Sequence, residues 1–345
     1  MAFREALDEQ LRLHKAMQPA DIVKLLYQSI YGKEHLLSSD TVKYFYEEYR
    51  DTPVTDEPLH ETVSDTAIRV NLGAWKREGL SSAWLINMFM LNQQDFFPSD
   101  DGLFLSSLHD VRSCLACGNA PFPVSEWDRF EAEYLGGGIR PLHHSSAYRS
   151  CEMPHYRVLP AIDLAVIRIL SEIRKTGASV IAIDGRAASG KTTVAGILSA
   201  ALGGAGIVRM DDFFLPYGMR TSERLSSPGG NVHYERFAAE VLPYIRGGSE
   251  FSYGRFDCSS GSVNSRIHVP SGEYRIVEGS YSAHPAFGIY WDLLVFSDIS
   301  YEEQLRRIEK RNGKEMEERF ISEWIPMEEL YFSSFGIRSK ASLIL

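Results

Sequence analysis

The segment from Gly185 to Thr192 constrains the fold more than any other part of the chain. Its sequence, GRAASGKT, has glycine at its first and sixth positions, followed directly by lysine and threonine. An apolar run at 178–183 precedes it and a helical pattern at 192–202 follows it. The pattern predicts a buried strand, a tight loop and a helix in succession. Glycines in such a loop let backbone N–H groups turn inward at the start of a helix, an arrangement typical of phosphate binding.

The residues after the second glycine indicate a nucleotide. The Lys191 ammonium group is expected to reach the β- and γ-phosphates, and the Thr192 hydroxyl is expected to hold Mg²⁺. We therefore predict ATP and Mg²⁺ as cofactors and leave a preference for GTP open, although the guanine motif N-K-x-D is absent. The predicted nucleotide-binding residues are Gly185, Ala188, Ser189, Gly190, Lys191, Thr192 and Thr193.

The two halves of the chain have different patterns. After the loop, apolar segments at 206–210, 274–277, 292–296 and 341–345 alternate with helical segments. This alternation predicts a P-loop α/β fold with a parallel sheet and helices on both faces. The first half shows helical periodicity and no alternating strand pattern, which predicts an all-α domain. We place the domains at 1–155 and 156–345.

Composition excludes several classes of protein. No apolar run approaches the roughly 20 residues of a membrane-spanning helix. Four cysteines in 345 residues are too few for a disulfide framework. The net charge of −10 counts against a nucleic-acid-binding surface. We expect a cytoplasmic protein that acts on a small molecule, and we leave homo-oligomerisation open.

An acidic pair follows the second predicted strand of this sheet. Asp211 and Asp212 stand in the segment MDDFF, at the strand end that faces the phosphate loop. A carboxylate there can accept the proton of a substrate hydroxyl as its oxygen attacks the γ-phosphate. The alternative is an aspartate that only caps a turn between strand and helix.

Four motifs in the second half resemble the uridine kinase and nicotinamide riboside kinase branch of P-loop kinases. They are the phosphate loop, the segment DDFF, the strand end Val277-Glu278-Gly279 and an arginine-rich helix near Leu305. The resemblance covers about residues 178–345. It implies an ATP-dependent phosphotransferase in which Asp211 is the general base and Glu278 helps to position Mg²⁺. It also implies a helical lid that carries catalytic arginines, and Arg307 and Arg311, four residues apart, share one face of that helix.

Two departures from this branch lie in the predicted acceptor pocket. His233 stands where uridine kinases carry the aspartate that holds the ribose, and no histidine follows Asp257 before Arg266. The acceptor is therefore left open between a nucleoside and a related metabolite. Arginines in the pocket would suit an acceptor that carries phosphate or carboxylate. The candidate substrate residues are Asp212, Phe214, Arg220, Arg224, His233, Tyr253 and Arg255.

The first half offers no motif that assigns chemistry. Cys114 and Cys117 form only half of a zinc-site pattern, so packing is the simpler interpretation. The stretch that holds His143, His144, Arg149 and Arg157 is either part of a site or a linker whose side chains satisfy one another.

The sequence favours a kinase that phosphorylates a hydroxyl group of a small molecule. The alternative is a regulatory or scaffolding protein that uses the phosphate loop as a nucleotide-dependent switch.

Overall fold

The computed structural model describes residues 3–116 and 120–345. The chain forms two compact units, Met1–Leu164 and Ala165–Leu345. The unit boundary lies after the predicted boundary at 155/156, because the strand Tyr156–Pro160 pairs with Ala67–Asn71 of the first unit. Within the described residues, no helix combines the length and apolar character needed to cross a bilayer.

The first unit is not all-α, and that prediction is wrong. Its helices are α1 (Phe3–Leu13), α2 (Pro19–Tyr31), α3 (Thr41–Asp51), α4 (Leu72–Arg77), α5 (Ser82–Met90), α6 (Asp101–Ala116), α7 (Val124–Gly136) and α8 (Ser146–Glu152). They accompany a three-stranded antiparallel sheet of β1 (His60–Thr62), β2 (Ala67–Asn71) and β3 (Tyr156–Pro160), in the order β1-β2-β3. The central strand β2 is buried on both faces, so its sequence lacks the polar alternation that marks a half-buried strand.

The polar stretch that holds His143, His144, Arg149 and Arg157 contacts two helices of the first unit. The Asp21 carboxylate accepts hydrogen bonds from His144 Nδ1 at 2.7 Å and from the Ser145 hydroxyl at 2.6 Å. Arg157 donates to Glu48 at 2.7 Å, whereas His143 and Arg149 are exposed. These partners of His144, Ser145 and Arg157 lie on α2 and α3, outside the stretch itself.

The structure describes only one of the two cysteines for which packing was the simpler interpretation. Cys114 is buried among apolar side chains of the first unit, and Cys117 lies outside the described residues. In the part of the chain that the structure describes, no cluster of three His, Cys, Asp or Glu side chains is arranged to hold a metal.

The second unit contains the predicted parallel sheet. Its strands are β4 (Val180–Gly185), β5 (Gly206–Arg209), β8 (Arg275–Glu278), β9 (Leu293–Ser297) and β10 (Leu343–Ile344), in the order β10-β9-β4-β8-β5 with every neighbouring pair parallel. A separate antiparallel hairpin of β6 (Phe251–Asp257) and β7 (Ser262–Val269) was not predicted. Most of β7 is exposed, so apolar periodicity gave no signal for it.

Helices flank the sheet and follow it. They are α9 (Asp163–Thr176), which begins at the end of the first unit, α10 (Lys191–Ala201), α11 (Ser222–Ser226), α12 (Tyr234–Glu240), α13 (Tyr301–Asn312), α14 (Lys314–Arg319), α15 (Ile325–Phe335) and α16 (Ile337–Lys340). A π-helical turn, Phe320–Trp324, joins α14 to α15. The arginine-rich helix that was predicted as a lid, near Leu305, corresponds to α13.

The strand order decides where functional side chains meet. Strands β4, β8 and β5 are neighbours and run parallel, so their carboxyl ends share one edge of the sheet. The phosphate loop follows β4, Glu278 ends β8, and a 3₁₀ turn, Met210–Phe213, follows β5. Three separate motifs are thereby brought to one edge.

The Asp184 carboxylate joins several segments at this edge of the sheet through hydrogen bonds. Its Oδ1 accepts hydrogen bonds from the N–H groups of Gly185 at 2.7 Å and Tyr281 at 3.0 Å. Its Oδ2 accepts from the N–H of Ala283 at 2.9 Å and from the Tyr331 hydroxyl at 2.8 Å. Burial raises the pKa of Asp184, and these donors stabilise its ionised form. One carboxylate therefore joins the start of the loop, the segment after β8 and α15.

We predict that Tyr331→Phe destabilises the protein by about 1–3 kcal/mol, because it removes one donor from a buried carboxylate while keeping the ring. Denaturant unfolding of the full chain measures this loss. Tyr244→Phe is the matched control, since Tyr244 is half exposed and its ring stacks on Phe251. Equal stability of the two variants would contradict the anchoring role of the Tyr331 hydroxyl.

Candidate active site

The loop backbone requires glycine at positions 185 and 190. Gly185 has φ +138°, and a Cβ there would lie 2.1 Å from the Ser297 carbonyl oxygen of β9. Gly190 has φ +99° and immediately precedes α10. An L side chain is strained at either φ value, so the sequence pattern follows from the turn that the backbone makes.

The Lys191 side chain folds back over the loop. Its ammonium group donates to the carbonyl oxygens of Gly185 at 2.8 Å and Arg186 at 2.7 Å, and the residue is buried. The hydroxyl oxygen of Ser189 is buried and has no hydrogen-bond partner within residues 3–116 and 120–345. Thr193 is exposed in the first turn of α10.

These features fit a nucleoside triphosphate. The first N–H groups of α10 have no partner within the helix, and the positive end of its dipole lies at the loop. Lys191 supplies a cation and Ser189 an unsatisfied hydroxyl at the same place. A cavity of about 680 Å³ lies beside Arg186 of the loop, between Tyr301, Gln304 and Glu329.

A hydroxyl and a carboxylate face each other where β8 ends. The Thr192 hydroxyl lies 3.1 Å from Glu278 Oε2 and 3.3 Å from Oε1. Burial raises the pKa of Glu278, and the neighbouring Asp211 raises it further. Oxygen ligands of these two kinds suit Mg²⁺, which is commonly held by one or two protein groups together with phosphates and water.

The two aspartates after β5 have different surroundings. Asp211 is exposed, and its carboxylate makes no hydrogen bond with any described residue. Asp212 is buried and accepts a hydrogen bond from the Tyr253 hydroxyl at 3.0 Å. Burial raises the pKa of Asp212, with Asp211 adding to the shift. Only Asp211 is free to contact a substrate hydroxyl.

The two arginines predicted on the lid helix have different hydrogen-bond partners. Arg307 donates to the Ala188 carbonyl of the phosphate loop at 3.3 Å and to Glu303 at 2.8 Å. Ala188 itself has φ +58°, a left-handed conformation that is uncommon for residues other than glycine. Arg311 instead donates to its neighbour Asn312 at 2.7 Å. Arg307 is therefore placed at the loop, and no contact with a described residue places Arg311 there.

The predicted substrate residues also divide into two groups. Tyr253 and Arg255, on β6, contact Asp212. Arg224 is held by its own segment through the carbonyls of Gly230 and Val232 and through Glu235.

The remaining candidates belong to the same loop as Arg224. Arg220 donates to the Leu215 carbonyl and covers the Tyr217 ring. The His233 side chain caps α12 by accepting from the Arg236 N–H, and the Phe214 ring contacts Phe256 edge-on. These contacts stabilise the loop, and no hydrogen bond among the described residues joins Arg220, Arg224 or His233 to Asp211.

Glu328 was not anticipated, and it supports the phosphate loop. Its Oε2 accepts from the Ala187 N–H at 3.0 Å, and its Oε1 lies 2.7 Å from the Ser280 hydroxyl. The same hydroxyl lies 2.8 Å from the Gly185 carbonyl oxygen. A serine has one proton, so both contacts are hydrogen bonds only when Glu328 is protonated and donates to Ser280.

A sequence signal for Glu328 exists. Ile325, Glu328 and Phe332 recur at helical spacing and are buried on one face of α15. A lone acid within an apolar stripe is a candidate for a buried role. The next residue, Glu329, is the partner of Arg186 in the loop at 2.6 Å.

Comparison with known proteins gives structural neighbours only. No family model and no curated protein matches the sequence. A possible uridine kinase from Bacillus stearothermophilus is similar at 20% identity, over 53% of this chain and 96% of that chain, with a TM-score of 0.41. A structure described as a fructose transport system kinase from Silicibacter sp. TM1040 is similar at 19% identity, over 54% of this chain and 98% of that chain, with a TM-score of 0.42. Both structures are described as kinases.

We predict that Glu328→Gln makes the protein less sensitive to rising pH. Burial raises the pKa of Glu328, and the nearby Asp184 adds to this shift. The folded state therefore favours the neutral acid, and the wild type loses stability as pH rises through that pKa. Glutamine can make both contacts without a charge, so the wild-type decline should be absent from its profile.

Thermal unfolding of the full chain across the pH range measures this difference. Glu318→Gln, an exposed carboxylate on α14, serves as the control and should follow the wild type. Glu328→Ala should lose about 1–3 kcal/mol at every pH, since it leaves the Ala187 N–H without its acceptor. Parallel pH profiles for the wild type and Glu328→Gln would show that Glu328 does not act as a neutral acid.

Proposed function

We propose that this protein is an ATP-dependent phosphotransferase that phosphorylates a hydroxyl group of a small molecule. One observation carries the proposal: three neighbouring parallel strands end in a phosphate loop, a Thr192–Glu278 pair and an exposed Asp211. These supply, in order, a phosphate cradle, oxygen ligands for a divalent cation and a carboxylate base.

The loop residues hold the nucleotide in this proposal. Backbone N–H groups at the start of α10 and the Lys191 ammonium group bind phosphate oxygens, and Thr192 with Glu278 holds the cation. Mg²⁺·ATP supplies the transferable phosphoryl group and the positive charge beside it. Glu278 lies at the cation site as a buried carboxylate whose ionised form the cation stabilises.

Asp211 acts on the acceptor. Its carboxylate accepts a hydrogen bond from the acceptor hydroxyl and takes the proton as that oxygen forms its bond to phosphorus and the bond to the ADP oxygen breaks. Arg307 neutralises charge that develops on the transferring group, and Arg311 is proposed to join it when the helical lid closes. A nucleotide switch needs no acceptor base, so an unpartnered Asp211 at this edge supports the enzyme over the regulatory alternative.

We predict that Asp211→Asn lowers acceptor-dependent turnover by about 10²–10⁴-fold, because general-base catalysis contributes that much. The assay measures ADP release from Mg²⁺·ATP against a panel of nucleosides, nucleotides, sugars and vitamin precursors. Nucleotide affinity should stay within a few-fold of the wild type, since Asp211 does not contact the phosphate loop.

Glu273→Gln is the matched control. It removes an exposed carboxylate near the amino end of β8, at the opposite edge of the sheet. Its turnover should equal that of the wild type. Tight binding of Mg²⁺·ATP without turnover on any acceptor, in the wild type and both variants, would contradict the enzyme proposal and favour the regulatory alternative.

We also predict that Glu278→Gln raises the Mg²⁺ concentration needed for half-maximal nucleotide binding. The amide keeps the contact with Thr192 but removes the negative charge that attracts the cation. Titration of nucleotide binding with Mg²⁺ measures the shift. An unchanged midpoint would remove Glu278 from the cation site while leaving the role of the loop intact.

A further inference from the structure

Most arginine heads of the second unit bind their own structure. Arg246 donates to Asp292 at 2.7 Å, and Arg338 donates to Asp298 at 2.9 Å. Arg275 donates to the carbonyls of Gly272, Tyr274 and Ser249. Such guanidinium groups have their hydrogen bonds assigned and stabilise the fold.

Arg209 and Arg255 differ from these. Their side chains are 57% and 60% exposed, and neither makes a side-chain hydrogen bond with any residue in the described ranges. The nearest carboxylate oxygens are Glu278 Oε1, 3.8 Å from Arg209 Nε, and Asp212 Oδ1, 3.6 Å from Arg255 Nε. Both distances exceed a hydrogen bond, so the five N–H donors of each guanidinium remain available.

Both arginines belong to the edge that carries Asp211. Arg209 is the last residue of β5, two positions before Asp211, and is directed to the Glu278 side. Arg255 lies on β6 and is directed to the Asp212 side. The two guanidinium groups therefore lie on different elements, one beside Glu278 and the other beside Asp212, the neighbour of Asp211 in the chain.

Stabilisation of the fold does not explain this pair. Exposed ion pairs at such distances contribute little, with a median of about 0–1 kcal/mol. The two carboxylates already have closer partners, since the Tyr253 hydroxyl serves Asp212 and the Thr192 hydroxyl serves Glu278. The two planar guanidinium groups keep N–H donors whose geometry matches the oxygen atoms of a tetrahedral phosphate or a planar carboxylate.

We propose that the phosphoryl acceptor is an anionic alcohol whose phosphate or carboxylate group is bound by Arg209 and Arg255. This inference rests on the proposed function and names the substrate class of that site. The acid group is held by the two arginines while the hydroxyl group faces Asp211. The sequence analysis named Arg220, Arg224 and Arg255 as candidates for binding such an acid group. The proposal keeps Arg255 and assigns the second position to Arg209 instead of Arg220 or Arg224.

Protection from chemical modification tests this site without knowledge of the acceptor. The full chain is saturated with Mg²⁺ and a non-hydrolysable ATP analogue, which fills the phosphate loop. It is then treated with phenylglyoxal, with and without inorganic phosphate or acetate, and modified arginines are read by peptide mass spectrometry. Arg246, 53% exposed and paired with Asp292 near the amino end of β9, is the internal control.

We expect phosphate, acetate or both to slow modification of Arg209 and Arg255 and to leave Arg246 unchanged. Protection by phosphate alone indicates a phosphorylated acceptor, and protection by acetate alone indicates a hydroxy acid. Equal modification rates with and without both anions would overturn the proposal. Failure of the analogue itself to bind would instead overturn the proposed function, so the two failures are distinguishable.

Matched ligands then test recognition directly. Glycerol phosphate and glycerate are compared with glycerol for binding to the same complex. The charged ligands should bind at least about tenfold more tightly, and Arg209→Gln or Arg255→Gln should each remove about tenfold of that affinity. Arg246→Gln should bind them like the wild type. Equal affinities for charged and neutral ligands, or unchanged affinities in both variants, would contradict the assignment.

Discussion

The ionised Asp184 carboxylate at the foot of the phosphate loop is the interaction on which the second unit depends. It accepts four hydrogen bonds, from three backbone N–H groups and one tyrosine hydroxyl. Such saturation is needed because a buried carboxylate without donors would be strongly destabilising. The same bonds fix the loop relative to the segment after β8 and to α15. Asp184 therefore stabilises the fold and shapes the cradle at once.

The acidic side chains at this edge of the sheet have different surroundings, and these surroundings give them different roles. Asp184 has its full set of donors and is a structural anion. Glu328 accepts a hydrogen bond from the Ala187 N–H of the loop and is predicted to be a neutral acid, and Asp211 is exposed to solvent. Carboxyl groups of one site acquire different chemistry in this way, because burial and hydrogen-bond donors set their protonation. The arginines differ in a similar way. Most guanidinium groups donate hydrogen bonds within their own structure, whereas the donors of Arg209 and Arg255 remain available.

The sequence was sufficient to predict the sheet and the phosphate loop. Strands buried on both faces appear as short apolar runs, and the glycine pattern at 185–190 follows from positive φ values. The neighbouring positions of β4, β8 and β5 bring the loop, Glu278 and Asp211 together as the motifs indicated. The first unit shows the limit of this approach: β2 carries a buried Arg69, whose guanidinium is held by Gln28, so neither alternation nor an apolar run marked the strand. The choice between Arg224 and Arg209 was also beyond the sequence, because it depends on which guanidinium finds partners within its own loop.

The central claim is that this edge transfers a phosphoryl group from ATP to a small anionic alcohol. The most direct measurement supplies the full chain with Mg²⁺, a small-molecule extract and ATP that carries an isotopic label in its γ-phosphoryl group. Mass spectrometry then searches for labelled products. The account predicts a labelled phosphate ester whose parent alcohol already bears an acid group. Label found only in inorganic phosphate, or in an ester of an uncharged alcohol, would contradict it.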